Sequence, residues 1–218
     1  MSEEAPTLPE ELLLLALDPQ RGRPFCRNRY LEFGMAGAAL AELDLQGRIS
    51  ESRGKVTVDQ PLPPHDLVLA QVLELLPAPD KKKFAGGVGA PHWIRRNGRT
   101  VEGLYLDQFV DADVLTRETR RFAGLLPYHR HPAGARNWSA QARDRFSAAE
   151  AAGFPDPRGR ALAALVTTVG LYRFVARGGG KPRAAMRQLV REEWTAHAVH
   201  RTIQRDRAAR SGGGGGGG

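Results

Sequence analysis

Hydrophobic positions along this chain recur mostly at helical spacing. Thr7-Leu8-Pro9-Glu10 reads as a helix start: Thr7 can cap, Glu10 can reach back to it, and Pro9 is tolerated in a first turn. The helix continues from Glu11 to Leu17 and stops at Asp18-Pro19. Its four consecutive leucines face nearly all round, which predicts burial rather than a surface stripe. A second helix is predicted over about Asn28 to Leu45, with Phe33, Gly37, Leu40 and Leu43 on one face. Gly37, Ala38 and Ala39 leave room for a close neighbour, and Gly47 is a natural stop. Ile49 to Val58 alternates like a short β-hairpin turning at Arg53-Gly54. Asp66 to Leu76 reads as another apolar helix, ended by Pro77 and Pro79.

The second half is less uniform. Asp80 to Gly89 reads as a loop carrying Lys81, Lys82 and Lys83. His92 to Asn97 suits one or two helical turns, and Thr100 to Leu115 a separate helix with Leu104, Phe109, Val110 and Leu115 inward. Phe122 to Pro132 mixes apolar residues with turn formers and predicts a protruding hairpin or loop. Ser139 to Ala152 predicts a charged helix, and Gly159 to Ala176 the central core helix. Gly178 to Gly180 reads as a hinge before a long basic helix from Pro182 to about Arg210. The expected fold class is mainly α, a single compact helical domain with one or two small β-hairpins. Residues 1–6 are expected to be disordered, 7–176 to form the helical domain, 177–210 a basic helix of the same domain, and 211–218 a glycine tail with nothing to bury.

Composition narrows the function classes. At 218 residues and 41% hydrophobic, the chain can build a sizeable core and is not a wholly disordered protein. No window approaches the run of about 20 apolar residues that a spanning helix needs. The opening Ser2-Glu3-Glu4 is unlike a secretory signal, and Cys26 is the single cysteine, so an intrachain disulfide or cysteine zinc cluster is excluded. The expectation is a cytoplasmic, metal-independent protein. The net charge of +8 comes mostly from arginine, whose fork pairs bidentately with phosphate. That suits anionic partners, although arginine-rich composition also follows from GC-rich coding.

Candidate chemistry is sparse. His129-x-His131 has no nearby carboxylate or cysteine to complete a metal set. Cys26, between Phe25 and Arg27, lacks an oriented base and reads as a half-buried thiol. The clusters Gly86-Gly87-x-Gly89 and Gly178 to Gly180 lack the phosphate-loop pattern. Glu192-Glu193 reads as local charge pairing on a basic helix. No catalytic residue, cofactor or metal is expected, and the chain is not expected to be an enzyme. Two features could meet an anionic surface. One runs from Lys81-Lys82-Lys83 through Trp93, Arg95, Arg96 and Arg99, with Trp93 either an interface anchor or a core residue. The other is the Phe122–Pro132 segment, where Leu125, Leu126 and Tyr128 near the tip are flanked by Arg120, Arg121 and Arg130. Such a tip can dip into a bilayer, or pack on its own domain or on another protomer. The basic C-terminal helix leaves a sequence-independent nucleic-acid contact as an alternative, with poor aromatic interleaving against it, and a helical protein-interaction scaffold as another.

The stretches TLPEELLLLALD (Thr7 to Asp18) and GMAGAALAELDLQGRI (Gly34 to Ile49) resemble the Golgi phosphoprotein 3 family, including its actinobacterial members. The family pairs a leucine-rich first helix with a small-residue helix ending in LAEL-x-L-x-GRI, here Leu40 to Ile49. Phe109 to Leu115 is similar to the family's LV-x-x-GVL segment before its hairpin. The resemblance implies a mostly helical, non-enzymatic peripheral membrane protein that binds phosphatidylinositol 4-phosphate. It also implies possible client-protein tails and self-association through the hairpin. The family's headgroup positions fall on Arg27, Ala36, Arg99 and Glu102. Arg99, with Arg27, Arg95 and Arg96, is therefore expected to meet a headgroup phosphate, while Leu125, Leu126, Tyr128 and Arg130 contact the membrane. Reversible membrane association from the cytoplasm is expected, and nucleic acid is not an expected partner.

Overall fold

In the computed structural model, residues 6–77, 87–122, 126–176 and 184–211 are described. The lysines at 81–83, the leucine at 125, the hinge at 178–180 and the glycine tail lie outside the described residues, as does most of the stretch 1–6. The architecture is mainly α.

Helix α1 (Leu8–Ala16) starts as its letters demand. The Thr7 N–H donates to Glu10 Oε2 at 2.7 Å, closing a capping box behind Pro9. Leu12, Leu13, Leu14 and Leu15 are all buried, so burial is all round. Each contributes about 1.5–3 kcal/mol of transfer free energy. Helix α2 (Asn28–Leu45) is the axis of the molecule and packs against α1. Three later helices surround it: α4 (Ala90–Asp111), α6 (Pro157–Thr168) and α9 (Trp194–Ser211). Its small residues permit this. A Cβ on Gly37 would lie 2.4 Å from Val199 Cγ2 of α9, and one on Gly34 2.7 Å from Val169 Cγ1.

Strands β1 (Ile49–Ser52) and β2 (Lys55–Val58) form the expected hairpin, turning through Arg53 and Gly54, both at positive φ. The expected loop after position 80 instead supplies a third strand, β3 (Val88–Gly89), paired antiparallel with β2. Helix α3 (Leu67–Glu74) is capped by Asp66, whose carboxylate accepts from the Leu69 N–H.

Four further expectations need correction. The two separate helical pieces over His92–Asn97 and Thr100–Leu115 are one helix, α4, running through Gly98. A Cβ at Gly98 would sit 2.8 Å from the Glu32 carbonyl, so this glycine serves a helix crossing and breaks nothing. The central core helix does not continue to Ala176. It ends at Thr168, and Gly170 (φ +85°) turns the chain into the short helix α7 (Tyr172–Val175). The long basic helix is two, α8 (Ala184–Glu192) and α9, and buries Ala196, Val199 and Ile203 in the core. Glu192 and Glu193 accept from Arg160 of α6 across this break, so their pairing is tertiary. Helix α5 (Ser139–Ala151) packs on α1.

The Phe122–Pro132 segment belongs to a longer hairpin of β4 (Glu118–Phe122) and β5 (Leu126–Arg130). Its base is fastened to the turn after α1. The His131 N–H donates to the Gly22 carbonyl, and the Ala133 N–H to that of Pro19. Gly22 (φ +60°) has no room for a side chain, since a Cβ would lie 2.3 Å from Pro132 N.

Candidate functional site

The chain between α1 and α2 positions the first functional side chain. Leu17 and Pro24 bridge, and the Phe25 N–H donates to the Ala16 carbonyl at 2.9 Å. This holds Phe25, Cys26 and Arg27 against the end of α1. Arg27 then takes the N-cap position of α2 with no side-chain cap, and no acid stands in the first turn. The positive end of this helix is thus left without a local counter-charge.

Two further arginines arrive from far along the chain. The turn at Gly170 delivers Arg173, and the outer part of α9 delivers Arg207. Together with Arg27 they line a cleft of about 550 Å³. Its other walls include Tyr30, Thr167, Val169 and Tyr172. Tyr30 is the centrepiece. Its Oη accepts from Arg207 Nε at 2.9 Å and from Arg27 Nη1 at 3.5 Å. Both guanidiniums also lie over its ring, at 5.2 and 5.6 Å from the centroid. The Arg207 hydrogen bond, helped by the charges of both arginines, lowers the phenol below its ordinary range. Arg173 is held differently, over the Phe174 ring at 4.5 Å, and that ring stacks on Phe25 at 5.1 Å.

Among the described residues, no carboxylate lines the cleft. The acids nearest in sequence are engaged: Glu32 pairs with Arg29 at 2.8 Å, and Asp206 with Arg210 at 3.0 Å. Thr167 Oγ1 is buried without a hydrogen-bond partner among the described residues. Cys26 also lines the cleft, but burial pushes its thiol up to about 12, so it is not a nucleophile at neutral pH. Chemically the arrangement offers fixed positive charge and donors, which suits binding an anion rather than transforming one.

The sequence-derived site residues separate. Arg27 lines the cleft, whereas Arg95, Arg96 and Arg99 lie exposed on α4 and do not. Trp93 is a core residue, 2% exposed, donating from Nε1 to the Leu75 carbonyl. Ala36 and Glu102 are buried. Burial, then the neighbouring Glu32 carboxylate, pushes Glu102 up to about 8 against the pull of Arg99. On the hairpin, Tyr128 Oη accepts from Arg130 Nη2 at 2.9 Å and also bonds Arg23, which ties this phenol to the turn after α1. Leu126 opens β5, and Arg120 pairs with Glu118. Sequence reasoning missed Tyr30, Arg173 and Arg207. The one available signal was an arginine interrupting the apolar run after Gly170.

The family model for Golgi phosphoprotein 3 (GPP34) matches residues 8–205, and the chain belongs to that family. No curated protein matches the chain. Among the described residues, no helix is long and apolar enough to cross a membrane.

Proposed function

We propose that this member of the Golgi phosphoprotein 3 family is a non-enzymatic adaptor that docks reversibly on anionic phospholipid surfaces. Phosphatidylinositol 4-phosphate, the lipid its family resemblance implies, is the first headgroup to test. The observation that supports the reading is the cleft at the start of α2, where Arg27 and Arg207 hold Tyr30, Arg173 lines the same wall, and no carboxylate among the described residues answers them. Arg95, Arg96 and Arg99 add exposed positive charge on α4. The hairpin residues Leu125, Leu126, Tyr128 and Arg130 supply the membrane contact, which also serves self-association. Client-protein tails are the partners such an adaptor would hold.

Arginine contacts at a surface are screened by salt, and one shallow insertion binds weakly, so both elements are needed together. The test is sedimentation with phosphatidylcholine vesicles with or without phosphatidylinositol 4-phosphate, at low and physiological salt. Wild type is expected to pellet with the anionic vesicles, less so at higher salt. Leu125→Asp/Leu126→Asp and Arg27→Glu should each stay in the supernatant. Equal pelleting of wild type and both variants would sink the reading.

A further inference from the structure

The family's headgroup positions and the cleft overlap at a single residue. Of the four positions, Ala36 and Glu102 are buried, and Arg99 is not part of the cleft wall. Placing a phosphate beside Glu102 would set it against a carboxyl flanked by Glu32, whose charge already opposes ionisation there. On the other side of Arg27 the balance reverses. Arg173 and Arg207 come from α7 and α9, elements that carry none of the family's headgroup positions. Neither has a carboxylate partner among the described residues, whereas Arg29, Arg145, Arg158 and Arg160 each have one.

We infer that the cleft bounded by Arg27, Arg173 and Arg207 is a binding site for a phosphate monoester, displaced from the family's α2–α4 positions to the groove between α2, the α6–α7 turn and α9. The inference rests on the anionic-ligand reading above and assigns it a place and a ligand class. Charge and geometry select the monoester. At neutral pH a monoester carries close to two negative charges and three terminal oxygens. A diester has one charge and two such oxygens. Three guanidiniums with no counter-carboxylate match the former, and the fork geometry of arginine suits it. Tyr30 is a positioning residue: its oxygen accepts from Arg207 and Arg27, and this aims both guanidiniums without consuming their charge. Thr167, with its unpartnered hydroxyl, offers a neutral donor on the wall. The volume, about 550 Å³, lies in the range of small-ligand pockets of roughly 300–1,000 Å³ and leaves room for the group that the phosphate esterifies.

The same chemistry can come from a free metabolite or from a lipid headgroup, and two assays separate them. Glycerol 3-phosphate is titrated calorimetrically into wild type, Arg173→Gln/Arg207→Gln and Arg99→Glu. The same three proteins are sedimented with vesicles of phosphatidylcholine carrying phosphatidic acid, a monoester, or phosphatidylglycerol, a diester, at matched surface charge. The double variant is expected to bind glycerol 3-phosphate roughly a hundredfold more weakly, through loss of two charge-assisted contacts. It should also lose the preference for phosphatidic acid, whereas Arg99→Glu, which removes general surface charge, should pellet less with both anionic vesicles yet keep that preference and the glycerol 3-phosphate affinity. Unchanged melting temperatures exclude misfolding, because these arginines support no buried partner charge. If Arg99→Glu loses binding and the double variant does not, the phosphate sits at the family's positions and the cleft assignment fails while the membrane reading stands. If glycerol 3-phosphate binds and the double variant loses it, yet no vesicle is bound, the cleft assignment stands and the membrane reading fails. If wild type binds neither glycerol 3-phosphate nor the phosphatidic acid vesicles, the assignment is overturned.

Discussion

Two cavities of this protein are each lined by arginines, and they are opposites. The smaller, about 210 Å³, lies under Pro6 between α1, α5 and α6 and contains Arg145 and Arg158. Both are answered. Arg145 Nε meets Glu11 at 2.7 Å, and Arg158 forks onto Glu42 with two bonds of 2.7 Å. Glu42 is 1% exposed and also accepts from the Leu8 N–H, so it ties the start of α1 to α2 and α6. The cleft at Arg27 has three guanidiniums, two phenols and, among the described residues, no acid on its wall. A guanidinium beside a buried carboxylate is spent on the fold, because removing it strands a charge. A guanidinium without one keeps its donors for something outside the chain. Arginine content alone does not distinguish the two; the carboxylate does.

The largest effect should come from breaking the satisfied cavity. Burial raises the Glu42 carboxyl, and the bonds from Arg158, Leu8 and Gln46 outweigh that, so the net pKa is lowered. A lowered carboxylate stabilises the fold above its unfolded value near 4.5, and that stability is lost as pH falls through the folded value. Arg158→Met leaves Glu42 buried and underpaired. The expected loss is about 2–3 kcal/mol, below the range for fully buried pairs because Arg158 is 39% exposed. That corresponds to a melting temperature lower by roughly 5–10 °C at neutral pH. The deficit should shrink in acid, where Glu42 takes up a proton. A deficit that is the same at pH 7 and pH 3.5 would show that packing, not charge, was lost.

Glu102 is the mirror case, a buried carboxyl with the wrong neighbour. Its folded value is about 8, raised by burial first and by Glu32 second. A raised value favours the fold fully only below the unfolded value near 4.5, and this contribution is lost as pH rises through about 8. Glu102→Gln removes the titration. It should raise stability near pH 8 by on the order of 2 kcal/mol, or roughly 4–8 °C, with little change near pH 4.5. Melting curves across that interval decide it, and a gain independent of pH would refute the electrostatic account.

The sequence carried the first of these two regions better than the second. The capping box at Thr7, the leucines of α1 and the small-residue face of α2 were all legible, since each is a local pattern with one physical meaning. Glycine was ambiguous. Gly98 and Gly170 are the same letter in helical surroundings, yet Gly98 lets α4 cross against the Glu32 carbonyl and Gly170 ends α6 at φ +85°. Only the partner helix decides between those roles. The break between α8 and α9 has no proline or glycine to announce it. The site was legible at Arg27 alone, and there through the family resemblance. Arg173 and Arg207 join it by tertiary packing, and an arginine that will meet a phenol looks in sequence like one that will meet a carboxylate.

The smallest effect on stability is expected in the cleft, and it is the sharpest test of the comparison. Arg207 bonds a neutral phenol, so Arg207→Gln should alter stability by no more than about 0.5 kcal/mol, in contrast to Arg158→Met. Ligand linkage should reverse the ranking. A bound anion stabilises the fold by RT ln(1 + [L]/Kd), so inorganic phosphate at constant ionic strength should raise the melting temperature of wild type. Arg158→Met, although less stable, should keep that rise, because its cavity shares no lining residue with the cleft. Arg207→Gln, although as stable as wild type, should lose most of it. Sulfate, a dianion of similar shape, should act alike, and chloride should not. If phosphate stabilises all three proteins equally, the cleft arginines are ordinary surface charge, and the distinction between answered and unanswered guanidiniums carries no functional meaning here.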